Sequence, residues 1–258
     1  MTKEITSAAN PFIKQLKALA SSKKVRQETD TFIIEGWRSI KTLLAHESQR
    51  YRLEQLIISS EWVKDSRIPD SIETIHLSDH LFEKISDVRN AQGILGVVRS
   101  LPNPFNPSKC IGNYLLLDNL RDPGNLGTLI RSAVGAGFKG VLLYGDCVEP
   151  FNPKVIRSTM GTFAFCNIWI VGSEEIEQMM QAGYELCVTT GAGGDSLYKT
   201  RFSKNNILVI GSEAHGVSEN LMMQATKKIT IPLSEECESL NAAIAGSICM
   251  FEITKDQS

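Results

Sequence analysis

The fold class this sequence predicts is α/β: a C-terminal domain built on a parallel sheet, preceded by a smaller α/β module. Three observations carry the prediction. From Tyr114 onward, short and almost wholly apolar segments alternate with helical patterns, and strands apolar on both faces belong to sheets covered by helices on both sides. Leu101-Pro102-Asn103-Pro104-Phe105-Asn106-Pro107 holds three prolines, which deny the backbone both helix and ladder hydrogen bonds and mark a boundary. With 258 residues, 42% of them hydrophobic, the chain has ample material for a core and can form one large domain or a small one plus a medium one. The expected division is residues 1–100, a linker at 101–109, and residues 110–258.

Taken in order, Asn10-Pro11 caps an amphipathic helix with Ile13, Leu16 and Leu19 on one side and lysines on the other. Strands are expected at Phe32-Ile33-Ile34, Leu56-Ile57-Ile58 and Gly93 to Val98. Beyond the prolines they are expected at Tyr114 to Leu117, Val141 to Tyr144, Ala164 to Val171, Glu185 to Thr189, Ile207 to Ile210 and Ile229 to Ile231. Asp122-Pro123-Gly124-Asn125 is a turn suited to cap a helix whose apolar side is Leu126, Leu129, Ile130 and Ala133. A last helix, rich in small side chains, opens at Ala242-Ala243.

The net charge of −2 conceals an asymmetry. Lys3, Lys14, Lys17, Lys23, Lys24 and Arg26 face only Glu4 within the first 26 residues, so a polyanion is attracted first to that end. Lys14, Lys17, Lys23, Lys24 and Arg26 are the candidate cations for such a polyanion. The six cysteines form no CxxC pair and sit mostly among apolar residues, which reads as reduced and structural. No stretch approaches the roughly 18–20 apolar residues that span a bilayer, and the N-terminus lacks the apolar run of a secretory signal. A soluble, cytoplasmic protein is expected, with no membrane partner.

Gly135-Ala136-Gly137-Phe138-Lys139-Gly140 is a literal GxGxxG, but it leaves a helix and enters a strand, the reverse of a dinucleotide fingerprint. A helix cap and tight turn account for it. His76 and His80 have the spacing of a metal pair but lack a third ligand, so no metal is expected. The absence of a GxSxG elbow removes the common serine hydrolase. What survives is a set of polar residues at the ends of apolar elements: Asn125 and Arg131, then Gly211-Ser212-Glu213, then Ser239-Leu240-Asn241. Sites in parallel sheets form beyond the carboxyl ends of the strands.

Asn125-x-Gly127-x-x-x-Arg131, Ile210-Gly211-Ser212-Glu213-Ala214-His215-Gly216, and Ile231-Pro232 followed by Ser239-Leu240-Asn241-Ala242-Ala243 closely resemble the three ordered motifs of the SpoU (TrmH) RNA 2′-O-ribose methyltransferases, in the SPOUT class. The resemblance spans roughly residues 110 to 253. His215 departs from it, at a position often small or acidic. Asn10-Pro11, Phe32-Ile33-Ile34-Glu35-Gly36 and Gln92-Gly93-Ile94-Leu95 resemble, less specifically, the L30e-like substrate-binding domain of many members.

The resemblance implies a C-terminal trefoil knot, a rare exception to unknotted chains, and a homodimer. It implies S-adenosylmethionine held around Thr189, Gly191, Gly211, Ile231 and Leu240. It assigns Arg131 as the catalytic arginine, with Asn125, Glu213, Ser239 and Asn241 at the polar active-site positions. The implied reaction is 2′-O-methylation of RNA, with 23S-type ribosomal RNA favoured over transfer RNA by analogy with the branch that carries the N-terminal module. The competing reading is a non-catalytic RNA-binding or ribosome-assembly protein on the same fold. Since a guanidinium stays protonated, Arg131 is expected to grip a phosphate and stabilise an alkoxide, with a neutral Arg131 acting as base the alternative.

Overall fold

A computed structural model describes residues 2–46, 49–62, 67–86, 88 and 90–255. In chain order come β1 (Thr2–Ile5), α1 (Pro11–Ser21), α2 (Lys23–Thr29), β2 (Thr31–Glu35), α3 (Trp37–Ala45), β3 (Tyr51–Ser59), β4 (Glu73–Leu77), α4 (Asp79–Glu83) and β5 (Ile94–Ser100). After the proline-rich stretch follow β6 (Tyr114–Asp118), α5 (Pro123–Gly135), β7 (Gly140–Tyr144), α6 (Pro153–Ser158), β8 (Ile168–Val171) and α7 (Ser173–Gln181). The chain closes with β9 (Glu185–Thr189), β10 (Asp195–Ser196), β11 (Asn206–Ile210), α8 (Glu219–Gln224), β12 (Lys227–Thr230) and α9 (Ala242–Thr254). These elements form two compact units, Met1–Asn103 with Glu149–Phe165, and Pro104–Val148 with Cys166–Ser258.

The first unit is built on a mixed five-stranded sheet in the order β1-β4-β3-β5-β2, with β5 antiparallel to both its neighbours. Asn10 Oδ1 accepts from Phe12 N at 2.9 Å and Pro11 takes the first helical position, so α1 starts where its sequence says. Ile13, Leu16 and Leu19 are buried against Ile33, Ile57 and Ile75 of the sheet, each contributing about 1.5–3 kcal/mol. The opposite face packs Phe32, Ile34, Leu56 and Val98 against Ile156 and Phe163. Phe151 stacks on Phe32 at 4.6 Å.

Residues 149–165 therefore belong with the first unit, although the chain order placed them within the expected C-terminal domain. Their apolar side chains find the uncovered face of the first sheet, and Glu149 meets a buried cation there. That cation is Arg26, which was expected to face RNA. The structure corrects the assignment: Arg26 is 4% exposed, its Nη2 lies 2.6 Å from Glu149 Oε2, and its Nη1 donates to Leu19 O at 2.6 Å. Its guanidinium is spent inside the unit.

The second unit carries a seven-stranded, wholly parallel sheet in the order β10-β12-β9-β11-β6-β7-β8. Every residue of the central β6 and β11 is buried, as strands covered on both faces require. The expected strand at Ala164 to Val171 is shorter. Thr162–Phe165 winds into a 3₁₀ turn and only Ile168–Val171 pairs, as an edge strand with Ile170 73% exposed. Gly135 ends α5, Gly137 takes φ +75° and Gly140 opens β7, so the GxGxxG is a helix exit. A Cβ at Gly140 would stand 2.4 Å from the Trp169 ring. His76 lies in β4 and His80 in α4, which removes the single helical face a metal pair at that spacing needs.

Among the described residues no helix is long and apolar enough to cross a membrane. All six cysteines are free. Burial pushes the Cys187 and Cys249 thiols up to about 12, which keeps them protonated and inert.

Candidate active site

Strand β6 leads through α5 to β7 on one side, whereas its neighbour β11 leads to β12 on the other. A crevice therefore opens beyond their carboxyl ends. Asp122 caps α5 there, its Oδ1 accepting from Asn125 N at 2.7 Å, with Pro123 at the first helical position. That cap holds Asn125 in the first turn of the helix.

The chain after β11 folds back at once: Ser212 N donates to Gly216 O at 3.1 Å and Gly216 N to Ser212 O at 2.9 Å. Gly211 makes the fold-back possible. A Cβ on it would lie 2.1–2.3 Å from backbone atoms of Gly216 and Val217, and backbone cannot give way as a flexible side chain can. The turn projects Glu213 toward α5, where its carboxylate accepts from Asn125 Nδ2. Asn241 caps α9, its Oδ1 accepting from Ala243 N at 2.9 Å and Ile244 N at 3.2 Å, while its Nδ2 donates to Asn125 Oδ1 at 3.0 Å. Three polar residues from three distant segments thus form one hydrogen-bonded chain, Glu213–Asn125–Asn241.

Beside this chain lies a cavity of about 400 Å³. Thr189, Gly191, Gly211, Ile231 and Leu240 all line it, as do Glu213, Ser239 and Asn241. Ile229 and Leu233 add to its apolar wall, and Thr190, Val217, Glu238 and Ala245 also line it, six residues that lie outside the motifs. Thr190 and Ile229 lie at strand ends, and Val217, Leu233, Glu238 and Ala245 lie beside or within two residues of the motifs, which was the available signal. Arg131 is placed differently. It sits further along α5, exposed, outside the cavity wall, and its guanidinium makes no hydrogen bond or ion pair among the described residues. Neighbouring Ser132 bonds Ser247 of α9 at 2.7 Å, and Gly246 lets the two helices close: a Cβ there would stand 2.5 Å from Leu129 Cδ2.

A family model, the SpoU rRNA Methylase family, matches residues 112–251, more than half of the chain. The chain belongs to this family. A second model, the MRM3-like substrate binding domain, matches residues 10–96. Relatives of the SpoU chain include the 23S rRNA (guanosine(2553)-2′-O)-methyltransferase RlmP of Bacillus subtilis, 30% identical over 97% of this chain and 99% of that protein. An uncharacterized tRNA/rRNA methyltransferase of Synechocystis is 29% identical over 98% and 94%. Among solved structures, an AdoMet-bound rRNA methyltransferase from Sinorhizobium meliloti superimposes with a TM-score of 0.86 at 28% identity, covering 98% of both chains.

In the first unit of this SpoU chain, Lys14, Lys17, Lys23 and Lys24 are exposed on α1 and α2. Lys24 pairs loosely with Glu28 at 3.7 Å, with both side chains largely in solvent. Such a pair holds little energy and leaves the cation available.

Proposed function

We propose that this chain transfers the methyl group of S-adenosylmethionine to a ribose 2′-hydroxyl of ribosomal RNA of the 23S type. The observation that carries the reading is the convergence of Asn125, Glu213 and Asn241 at the rim of the loop-walled cavity. Relatives that are 23S rRNA 2′-O-methyltransferases, in Bacillus subtilis and Streptomyces viridochromogenes, support ribosomal over transfer RNA. A non-catalytic role leaves this converged polar chain without a purpose.

The cavity fits the cofactor. Its volume lies in the range of small-molecule sites, and its wall joins the apolar side chains Ile229, Ile231 and Leu240 to loop backbone at Gly191 and Gly211. Gly191 has open space where a Cβ would point, so a ligand can approach its backbone. When bound, the cofactor supplies an electrophilic sulfonium methyl. Thr189, Gly191, Gly211, Ile231 and Leu240 hold it, and Ser239 and the Glu213–Asn125–Asn241 chain fix the polar end of the site. Positioning accounts for the larger share of such a displacement. Arg131 stays cationic, grips the phosphate beside the target ribose and stabilises the alkoxide as the hydroxyl proton leaves to a neighbouring group or water.

The trefoil knot, the homodimer and a cytoplasmic setting complete the proposal. The return of the chain from β12 through residues 231–241 to seat α9 against α5 supports the knot. Ile244 and Phe251, 53% and 54% exposed on α9, support a second copy as partner. Six free thiols suit a reducing compartment.

The test is calorimetric titration with S-adenosylmethionine, joined to mapping of 2′-O-methylation in total RNA from cells lacking the gene. Micromolar-range binding and one ribosomal site lost are expected. Absence of cofactor binding removes the proposal.

A further inference from the structure

A second cavity, of about 410 Å³, lies beside the fold-back turn after β11, and it shares Ser212, Glu213 and Gly216 with the cofactor cavity. Its remaining wall comes from Asn119, Arg121, Ala214, His215 and Ser218. We infer that this cavity receives an unstacked nucleobase of the substrate RNA, and that His215 and Ser218 help to read it.

The argument starts from charge. Arg121 is the cavity's one fixed cation, and the carboxylate of Asp146, 2.8 Å from it, offsets its charge although both side chains are largely in solvent. Glu213 lies on the same wall. A phosphate group finds no surplus positive charge there, whereas an uncharged heterocycle meets hydroxyls, an amide and an imidazole that can serve its donors and acceptors.

The floor of the cavity is also preorganised. Asp118, fully buried at the end of β6, accepts from Ser218 N at 2.6 Å and from Asn119 Nδ2 at 2.6 Å. Asn119 Oδ1 in turn accepts from Asp146 N at 2.8 Å, and Asn119 holds φ +54° to do so. Ser218 Oγ, by contrast, is buried and has no hydrogen-bond partner among the described residues. A ribose delivered to the rim at Glu213 carries its base a short distance away, and the shared turn places this second cavity within that distance. Enzymes that do chemistry on a base take that nucleotide out of the stack, and RNA-binding proteins read splayed-out bases of single-stranded loops in a similar way.

The inference rests on the methyltransferase reading, and the experiment separates the two. The full chain is assayed on an RNA oligonucleotide spanning the mapped ribosomal target, with the target base and its immediate neighbours replaced in turn by each of the other three. Wild type is expected to favour one base at one of these positions by roughly tenfold in kcat/KM. His215→Ala and Ser218→Ala are expected to flatten that preference to about twofold, chiefly through KM, with S-adenosylmethionine affinity unchanged. Ser218→Ala keeps the backbone bond to Asp118 and His215 is exposed, so either variant reports on a folded protein. Retention of the full wild-type preference by both variants, or equal use of every base by wild type, overturns the nucleobase site. Failure of wild type to bind the cofactor or methylate the ribosomal target overturns the underlying reading, and this inference falls with it.

Discussion

Asn241 Nδ2 donates to Asn125 Oδ1 at 3.0 Å, tying the first turn of α5 to the cap of α9 across 116 positions of sequence. Asn125 has both functions of its amide engaged, since its Nδ2 donates to Glu213. It is the hinge of the polar chain. Asn125→Ala unlinks both partners but spares the caps, because Asp122 caps α5. A folded protein with methyl transfer reduced about 100-fold is expected, measured by single-turnover assay beside thermal unfolding. Asn241→Ala removes a helix cap as well, costing about 1 kcal/mol of stability in addition to activity. Equal stability of the two variants contradicts this division of roles.

Gly211→Ala tests the fold-back turn. Its Cβ meets only backbone, at 2.1–2.3 Å, so the turn must open and carry Glu213 away from Asn125. The expected outcome is loss of calorimetric cofactor binding together with a lowered unfolding temperature. Gly191→Ala, with open space in front of it, should weaken cofactor binding while leaving the apo protein as stable as before.

The polar ends of α5, β11 and α9 were legible in the sequence because each interrupts an apolar run, and parallel strands place such interruptions at one edge. Arg26 was not legible. It follows Lys23 and Lys24 in a basic run, and only the tertiary fold shows that Glu149, 123 positions away, lies opposite it. The 149–165 segment was misread for the same reason, since its fit against Phe32 is not a local property. Strands β1 and β4 escaped notice because Thr2-Lys3-Glu4-Ile5 and Glu73-Thr74-Ile75-His76-Leu77 are too polar to read as buried runs, being held by pairing with each other and, for β4, with β3. Asp118 gave no signal of its role beneath the second cavity, as one acid at a strand end resembles any other.

The buried Arg26–Glu149 pair yields a stability prediction. Glu149→Ala leaves an unpaired guanidinium in the core of the first unit and is expected to cost about 3–5 kcal/mol. Replacing both partners, Arg26→Met with Glu149→Leu, should recover most of that loss in urea unfolding. Equal destabilisation by the single and double variants is the contrary outcome.

Acid sensitivity follows from Glu54. The hydrogen bond from Arg99, at 2.5 Å, holds its carboxyl below its ordinary value of 4.5 despite partial burial. A depressed folded-state value means that the unfolded chain takes up the proton first. The stabilisation is therefore complete above the ordinary carboxylate range and is lost as pH falls through the lowered value. Glu185 acts in the same sense: burial raises its carboxyl, but the bond and charge of Lys227, with Ser203, outweigh this and leave it lowered. Between about pH 6 and pH 3, Glu54→Gln should show a shallower loss of stability than wild type. A parallel loss in both proteins counts against the pair.

Arg131 is where the functional and merely structural interpretations separate most. Its exposed guanidinium has no protein partner among the described residues, so Arg131→Ala removes little that holds the fold. If the cation grips phosphate and stabilises the alkoxide, the variant keeps its unfolding temperature and cofactor affinity but loses about 100-fold or more in methyl transfer. Lysine restores charge without the planar two-point grip, so Arg131→Lys should recover only part of the rate. The alternative, a neutral Arg131 acting as base, predicts a different pH profile. A lysine there titrates near 10.4 in its unperturbed state, so Arg131→Lys would then gain activity steeply with pH as its amine is freed. The cationic role instead predicts a pH dependence parallel to wild type until the lysine itself loses its proton. Single-turnover rates of the two variants across the alkaline range decide between them, and near-wild-type transfer by folded Arg131→Ala removes Arg131 from the mechanism altogether.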